Sequence, residues 1–498
     1  MRNLLAFAVV AAAITPVGCS NDDSPGSGTA GSSNASGGAA AGSGASNGGT
    51  PAASGSASGG SNAAAGANAT AGASMSGGGN GGATTGGSGP LPNSTLPERL
   101  GVTNSEVAAG VKDGVSNWRI WDRGVLNVAP VFTVPLPSCE TLVCFTSGTE
   151  QAPVAHVVKL DTTDKLSGEL VSQAGLECRG LAAGDNGQFA ALLWSGSAET
   201  IQVTRYDAAG MALGSTPLEN SDNHPTDFGI GEARLEFGGG KYGAYYHVHS
   251  DSGHEGDTLK WVDAGSGAET TEWAWGCSHS MSNLLRYNTD LKKFLPACVT
   301  DCYPGTNGDF KTESIGGIYL NHDDKKVLDV DAGCNGSVAG ELGGAALAPT
   351  GYKLVFNAHQ AAAGKGQSSY ESGNKNQDIG FAAVAQNLSS QVVWLTTTPE
   401  DEADASISRY QATGGAEQYV VGWAETTKPY KYKLALLDPS GAFVEAPADV
   451  TAKAQWGRRD DPFREHVGGD VVWAWFDAPG SKTLHFARVD SGASADCK

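Results

Sequence analysis

The densest run of chemically competent side chains reads His247-Val248-His249, then His254-Glu255-Gly256-Asp257, then Cys277-Ser278-His279-Ser280-Met281. Imidazoles bind borderline divalent cations and titrate near neutrality, so such a run suits a metal centre or proton transfer. In a strand, His247 and His249 share one face. His254 and His279 would join them from adjoining loops, which makes His247, His249, His254 and His279 the candidate ligands of zinc or copper. Calcium is the other divalent candidate, for the acidic run Glu400-Asp401-Glu402-Ala403-Asp404. That run lacks the spaced Asp/Asn-Gly pattern of a calcium loop and reads as a solvated acidic turn. No His-Glu-x-x-His signature is present. The alternative is that His247 replaces a Trp found at its position in other repeats while His249 caps a loop.

The elements that must position these residues repeat along the chain. A strand-like apolar run ends in Asp or Asn and a polar turn at Asp161, Asp207, Asp263, Asn321, Asn387, Asp438 and Asp490, spaced 46, 56, 58, 66, 51 and 52 residues apart. Periods near 50 with several short strands per unit predict a propeller. The second strand of each unit aligns best: Phe189–Trp194, Tyr242–His247, Phe294–Cys298, Tyr352–Asn357, Tyr419–Trp423 and Val471–Trp475. Aromatic and β-branched enrichment marks these as strands, and no long window carries a helical apolar period. The expected fold is therefore all-β, a seven-bladed β-propeller. The last unit stops too soon for its own outer strand, so a strand near the N-terminus, read at Trp118 to Val128, is expected to complete it and close the ring, leaving no open sheet edge.

In such a wheel the loops after second strands share one face with the loops between blades, and ligands sit there over the channel. Two positions past the aligned residue stand Gly196, His249, Thr300, His359, Glu425 and Asp477, a mostly polar ring; wet strand ends offer the plainer account. Longer loops after His249, Thr300 and His359 raise one side of the mouth, and extended loops on a rigid scaffold are where function concentrates. Arg458-Arg459-Asp460-Asp461 leads into the last inner strand and supplies a cation or a self-neutralising surface patch. The candidate ligand-binding residues are thus His249, His279, His359, Glu425, Asp477, Arg458 and Arg459. With His249, His279, Tyr303 and Arg459 as catalytic candidates, the chain is loosely similar to propeller uronate lyases. That resemblance implies a cation on a uronate carboxylate and a base near the C5 proton. Residues 96–498 hold no Gly-x-Ser-x-Gly elbow, and the Gly-rich runs lie in the low-complexity segment ahead of them, without the strand–loop–helix context of a phosphate cradle. Asp161 and its counterparts resemble sialidase aspartate boxes in position but lack the full motif, and read as turn-formers.

The N-terminus speaks to location. Met1-Arg2-Asn3 and the apolar run Leu4 to Ile14 fit a signal-peptide core. Thr15-Pro16-Val17-Gly18-Cys19 resembles a bacterial lipobox, Pro16 departing from it, with Cys19 as the lipidated residue; an ordinary secretory signal is the alternative. Residues 1–18 are expected to be removed, 19–95 to form a disordered Gly/Ser/Ala/Asn tether, and 96–498 to fold. The combination resembles surface lipoproteins of myxobacterial kind, implying a lipid anchor on the outer membrane or cell surface. Charge excludes a class of partner: the whole chain carries net −21, and a domain this acidic is unsuited to nucleic acid. The expected partners are a membrane through the anchor and an extracellular glycan, polymer or protein. The expected activity is binding, with a polysaccharide lyase or hydrolase as the alternative; a monomer is expected. Beyond Cys19, eight cysteines in an exported chain predict disulfides, with Cys139/Cys144 and Cys298/Cys302 as local staples.

Overall fold

The computed structural model describes residues 94–114, 126–218, 223–224, 233–250, 255–273, 282–300, 317–320, 325–331, 341–349, 351–360, 366–367, 377–385, 389–412, 415–457 and 461–492, with backbone alone at several strand ends, His224, His249, Glu255, Thr300 and His359 among them. Cys19, the leader and most of the tether lie outside these residues. So do His254, His279, Tyr303, Arg458 and Arg459.

The described residues form seven blades in chain order, each built on four antiparallel strands, with a two-residue strand added to blade 3 and another, Gly366–Gln367, that pairs in parallel with the last strand of blade 4 and so joins the sheets of blades 4 and 5. Blade 1 holds Phe132–Pro135, Thr141–Gly148, Pro153–Leu160 and Leu166–Ala174; blade 2 holds Glu177–Ala183, Phe189–Ser195, Thr200–Tyr206 and Ala212–Pro217. Blade 3 holds Ala233–Gly238, Lys241–Ser250, Glu255–Asp263 and Glu269–Trp273, and blade 4 Asn283–Asn288, Lys293–Thr300, Gly317–Leu320 and Lys325–Asp331. Blade 5 holds Glu341–Ala348, Gly351–Gln360, Asp378–Ala385 and Ser390–Trp394, and blade 6 Glu402–Tyr410, Gln418–Glu425, Lys431–Leu437 and Phe443–Asp449. Blade 7 takes Arg464–Glu465, Val471–Trp475 and Thr483–Val489 from the C-terminal end and Leu100–Glu106 from the N-terminal end. Each aligned second strand falls inside its blade's second strand, as its apolar pattern predicts.

Ring closure follows the expectation, but the closing segment differs. Leu100–Glu106 pairs with Thr483–Val489 in unbroken register from Leu100 with Val489 to Glu106 with Thr483. Val128 instead makes an isolated bridge to Asp113. The four-residue helix Leu96–Arg99 leads into the closing strand, and Glu98 accepts from the Thr95 amide at 2.7 Å in a capping box.

Blades are held by apolar layers between their faces. Separate clusters lie between blades 1 and 2, 2 and 3, 3 and 4, 4 and 5, and 5 and 6, and a larger one joins blades 6, 7 and 1. In the last, Phe145 of blade 1 meets Phe476 beside blade 7 at 5.1 Å between ring centroids. Inner strands crowd toward the axis: a Cβ on Gly343 would stand 2.1 Å from the Ala405 carbonyl oxygen, so glycine alone fits there. Blades 1 and 2 are also tied covalently by Cys144–Cys178, with Cα atoms 6.2 Å apart. This corrects the expected Cys139/Cys144 staple. Facing strands on neighbouring blades bring Cys178 closer than chain order suggests. Cys139 and Cys298 are disulfide-bonded as well.

Candidate functional site

Each inner strand starts at the face where second strands end, and its residues line the central channel. Blade 3 contributes Arg234 and Glu236, blade 4 Arg286, and blade 7 Asp461 and Arg464. Arg286 donates to Asp461 in a two-pronged pair, Nη1 to Oδ2 at 2.5 Å and Nη2 to Oδ1 at 2.8 Å. Arg464 lies 3.3 Å from the same carboxylate and 4.0 Å from Glu236. In a ring of seven, blade 7 neighbours neither blade 3 nor blade 4, so these contacts cross the axis. Arg286 is fixed further by donating from Nε to the Ala345 carbonyl of blade 5 at 2.9 Å.

Among the described residues, three arginines and two carboxylates meet in this cluster, within a strongly acidic chain. Asp461 is 1% exposed; burial works to raise its pKa, but Arg286 and Arg464 outweigh it and hold the group below the ordinary carboxylate range. Burial raises Glu236, against the pull of Arg286 and Arg464. Glu236 nevertheless keeps 23% of its side-chain surface exposed, so solvent reaches the cluster. The buried Nε of Arg464 has no hydrogen-bond partner among the described residues.

Nearer the mouth, blades 5 and 6 build an acidic nest. Glu402, the first residue of its inner strand, accepts from the hydroxyls of Thr396 and Thr398, the latter at 2.9 Å. Asn357 donates to Glu341 at 3.0 Å and to Gln377 at 2.5 Å. Burial pushes the Glu402 carboxyl up to about 7, against the lowering effect of its threonine donors. Burial also raises Asp378. The expectation of a solvated acidic turn is therefore corrected: Glu402 and Asp404 are each 1% exposed, because the strand begins inside this bonded layer.

The polar ring divides. Glu425 ends its second strand and pairs with Lys431 at 3.3 Å and Lys433 at 3.5 Å. Asp477 accepts from the Trp475 indole at 3.2 Å and meets His485 at 2.8 Å. Both serve neighbours within their own blade. His249 and His359 stand on the ten-residue second strands of blades 3 and 5, each met by a two-residue strand, Asn223–His224 and Gly366–Gln367 respectively. His247 is fully buried, opposite Asp257 in the ladder. It lies in the interior of the blade, where other repeats place Trp194, Trp423 and Trp475. Among the residues whose side chains are described, no three His, Cys, Asp or Glu groups gather closely enough to hold a metal ion.

No known protein-family profile matches the chain, and no curated protein matches it. Solved structures with some similarity include the polysaccharide lyase Uly1, at 10% identity and TM-score 0.44 over 78% of this chain and 99% of that one. The β-propeller domain of the Trilobed protease from Pyrococcus furiosus is similar at 9% identity and TM-score 0.38, over 72% of this chain and 93% of that one. The Hadza microbial sialidase Hz136 is similar at 8% identity and TM-score 0.37, over 72% and 65%. Likenesses this distant carry no argument about activity; the architecture rests on the strand pairing itself.

Proposed function

We propose that this chain is a lipid-anchored, surface-displayed propeller that binds an extracellular glycan, polymer or protein partner through its loop-lined face and channel, and that the partner is anionic. The observation behind this reading is the channel cluster. Among the described residues it brings the guanidinium groups of Arg286 and Arg464 to the carboxylates of Asp461 and Glu236, with Arg234 close enough to lower the Asp461 pKa as well, and Arg464 Nε has no acceptor among them. Guanidinium groups clustered at partly buried positions recognise carboxylate or sulfate in preference to a neutral hydroxyl. The disulfide between Cys144 and Cys178 supports residence in an oxidising compartment, and the lipobox-like Cys19 supports the anchor.

The test is calorimetric titration of the full chain with a polyuronate and with an uncharged glucan. Binding of the first alone, weakened by salt and lost in Arg464→Gln, is expected. Equal binding of both polymers, or of neither, defeats the reading. The anchor is checked separately, since Cys19→Ala should abolish incorporation of labelled palmitate.

One observation favours a second reading, a polysaccharide lyase or hydrolase. Glu402 stands near the mouth with its carboxyl pushed up to about 7, the range for a proton donor at neutral pH. Product release from an acidic polymer, abolished by Glu402→Gln while polymer binding persists, would establish that reading over simple binding.

A further inference from the structure

The second strand of blade 3 outruns its inner-strand neighbour. Ala233 pairs with Tyr246; past that point Asn223–His224 takes over, setting Asn223 opposite Ser250 and His224 opposite His249. On the other edge of the same strand, His249 stands opposite Glu255. His224, His249 and Glu255 therefore occupy one register row across three adjacent strands. Directly opposed residues in an antiparallel ladder share a face, with Cβ atoms roughly 4.5–5.5 Å apart. Two residues further down that strand, and so on the same face, His247 is opposite Asp257, both fully buried. Tyr245 donates from its hydroxyl to Asp257 at 2.8 Å.

From this juxtaposition we infer a binding site for a divalent first-row transition ion, with zinc as the reference case, formed by His224, His249 and Glu255. Two imidazoles and one carboxylate are the donor set of a three-ligand zinc centre, with the fourth position open to water or a bound group. Calcium, which takes six to eight oxygen ligands, is poorly served by this row. The carboxylate of Asp257 in the layer beneath is the kind of group that orients ligands from outside the coordination shell. The ligand set differs from the one read in the sequence: His224 and Glu255 enter, His247 drops to the supporting layer, and neither His254 nor His279 is required. The inference stands apart from the channel cluster and survives the failure of the anionic-partner reading.

The full chain, stripped with a chelator and dialysed, is titrated with Zn2+ alone, and its Co2+ form is read by visible absorption. One equivalent of Zn2+ and the d–d bands of low-coordinate Co2+ are expected. His224→Ala and His249→Ala should each weaken Zn2+ by more than the roughly 10–100-fold that loss of an outer-shell group costs. His485→Ala, in blade 7, should change nothing. Circular dichroism checks folding, and Glu255→Gln, which keeps size and shape, replaces any histidine variant that misfolds. Absence of stoichiometric Zn2+ overturns the inference, as does full affinity in a folded His224→Ala/His249→Ala variant. Loss confined to His254→Ala or His279→Ala overturns it too, by assigning the ion to the loops.

Discussion

The two faces of the wheel follow different rules. On the face of the third-to-fourth-strand turns, the blades repeat one device. Asp161, Asp207, Asp263, Asp438 and Asp490 each turn Oδ1 back onto amides of the turn that follows, as from Ala209 and Met211 onto Asp207 at 2.9 Å. On the opposite face the blades diverge. Blade 2 turns between strands within Gly196–Glu199, blades 3 and 5 raise extended strands, and blades 5 and 6 bury carboxyls. The repeated device maintains the scaffold, and the departures from repetition hold the groups able to bind or react. Charge is distributed in the same way: the channel cluster joins blades 3, 4 and 7, and among the described residues it has no counterpart within a single repeat.

The largest expected effect tests that cluster. Asp461→Ala strands Arg286 in the channel without its carboxylate, and breaking a buried pair from one side costs about 3–5 kcal/mol. Urea unfolding should register that loss. Replacing both partners, Arg286→Met with Asp461→Leu, should recover much of the stability while eliminating affinity for a polyuronate. If the double replacement keeps that affinity, the cluster is a strut and the contrast between faces loses its functional half. Acid should act in the same direction as Asp461→Ala. Because Arg286 and Arg464 hold the folded Asp461 below its ordinary range, its contribution is present above that range and lost as pH falls through the folded value.

Glu402 comes next and has the opposite sign. Its folded carboxyl, pushed up to about 7 by burial, favours the fold most fully below its ordinary value near 4.5, and that contribution is lost as pH rises through 7. Stability should decline on the order of 3 kcal/mol between those limits, and Glu402→Gln should flatten the decline. An unchanged slope in the variant would show that another group titrates and would remove Glu402 from consideration as a proton donor.

The scaffold was legible because its signals are local. A period of two, aromatic strands and an Asp or Asn followed by a Gly/Ser-rich turn each fit within about ten residues, and they identify six second strands. What escaped depends on distant partners. Arg286 and Asp461 are separated by 175 residues, and within Arg458-Arg459-Asp460-Asp461 nothing marks Asp461 as the buried member. The closing strand Leu-Gly-Val-Thr-Asn-Ser-Glu is weakly apolar and pairs with the far end of the chain, so the more aromatic Trp118–Val128 stretch drew the assignment. Composition likewise misread Glu402, since its burial depends on hydroxyls from Thr396 and Thr398 that a charge count does not weigh.

The smallest effect belongs to the repeated turns, and it is the one that separates the faces most cleanly. Asp438 accepts from the amides of Ser440 at 2.8 Å and Ala442 at 3.0 Å, and from the Ser440 hydroxyl at 2.6 Å. These groups are partly solvated, so water replaces much of what Asp438→Ala removes, and a net cost of about 1 kcal/mol is expected. Asp207→Ala should cost a similar amount, and because the two turns belong to blades 6 and 2 their effects should add. Neither should alter Zn2+ or polyuronate affinity, both of which are assigned to the opposite face and the channel. A turn variant that loses either ligand while unfolding normally in urea would show that the repeated face is coupled to the irregular one, and the division of labour between them would fail.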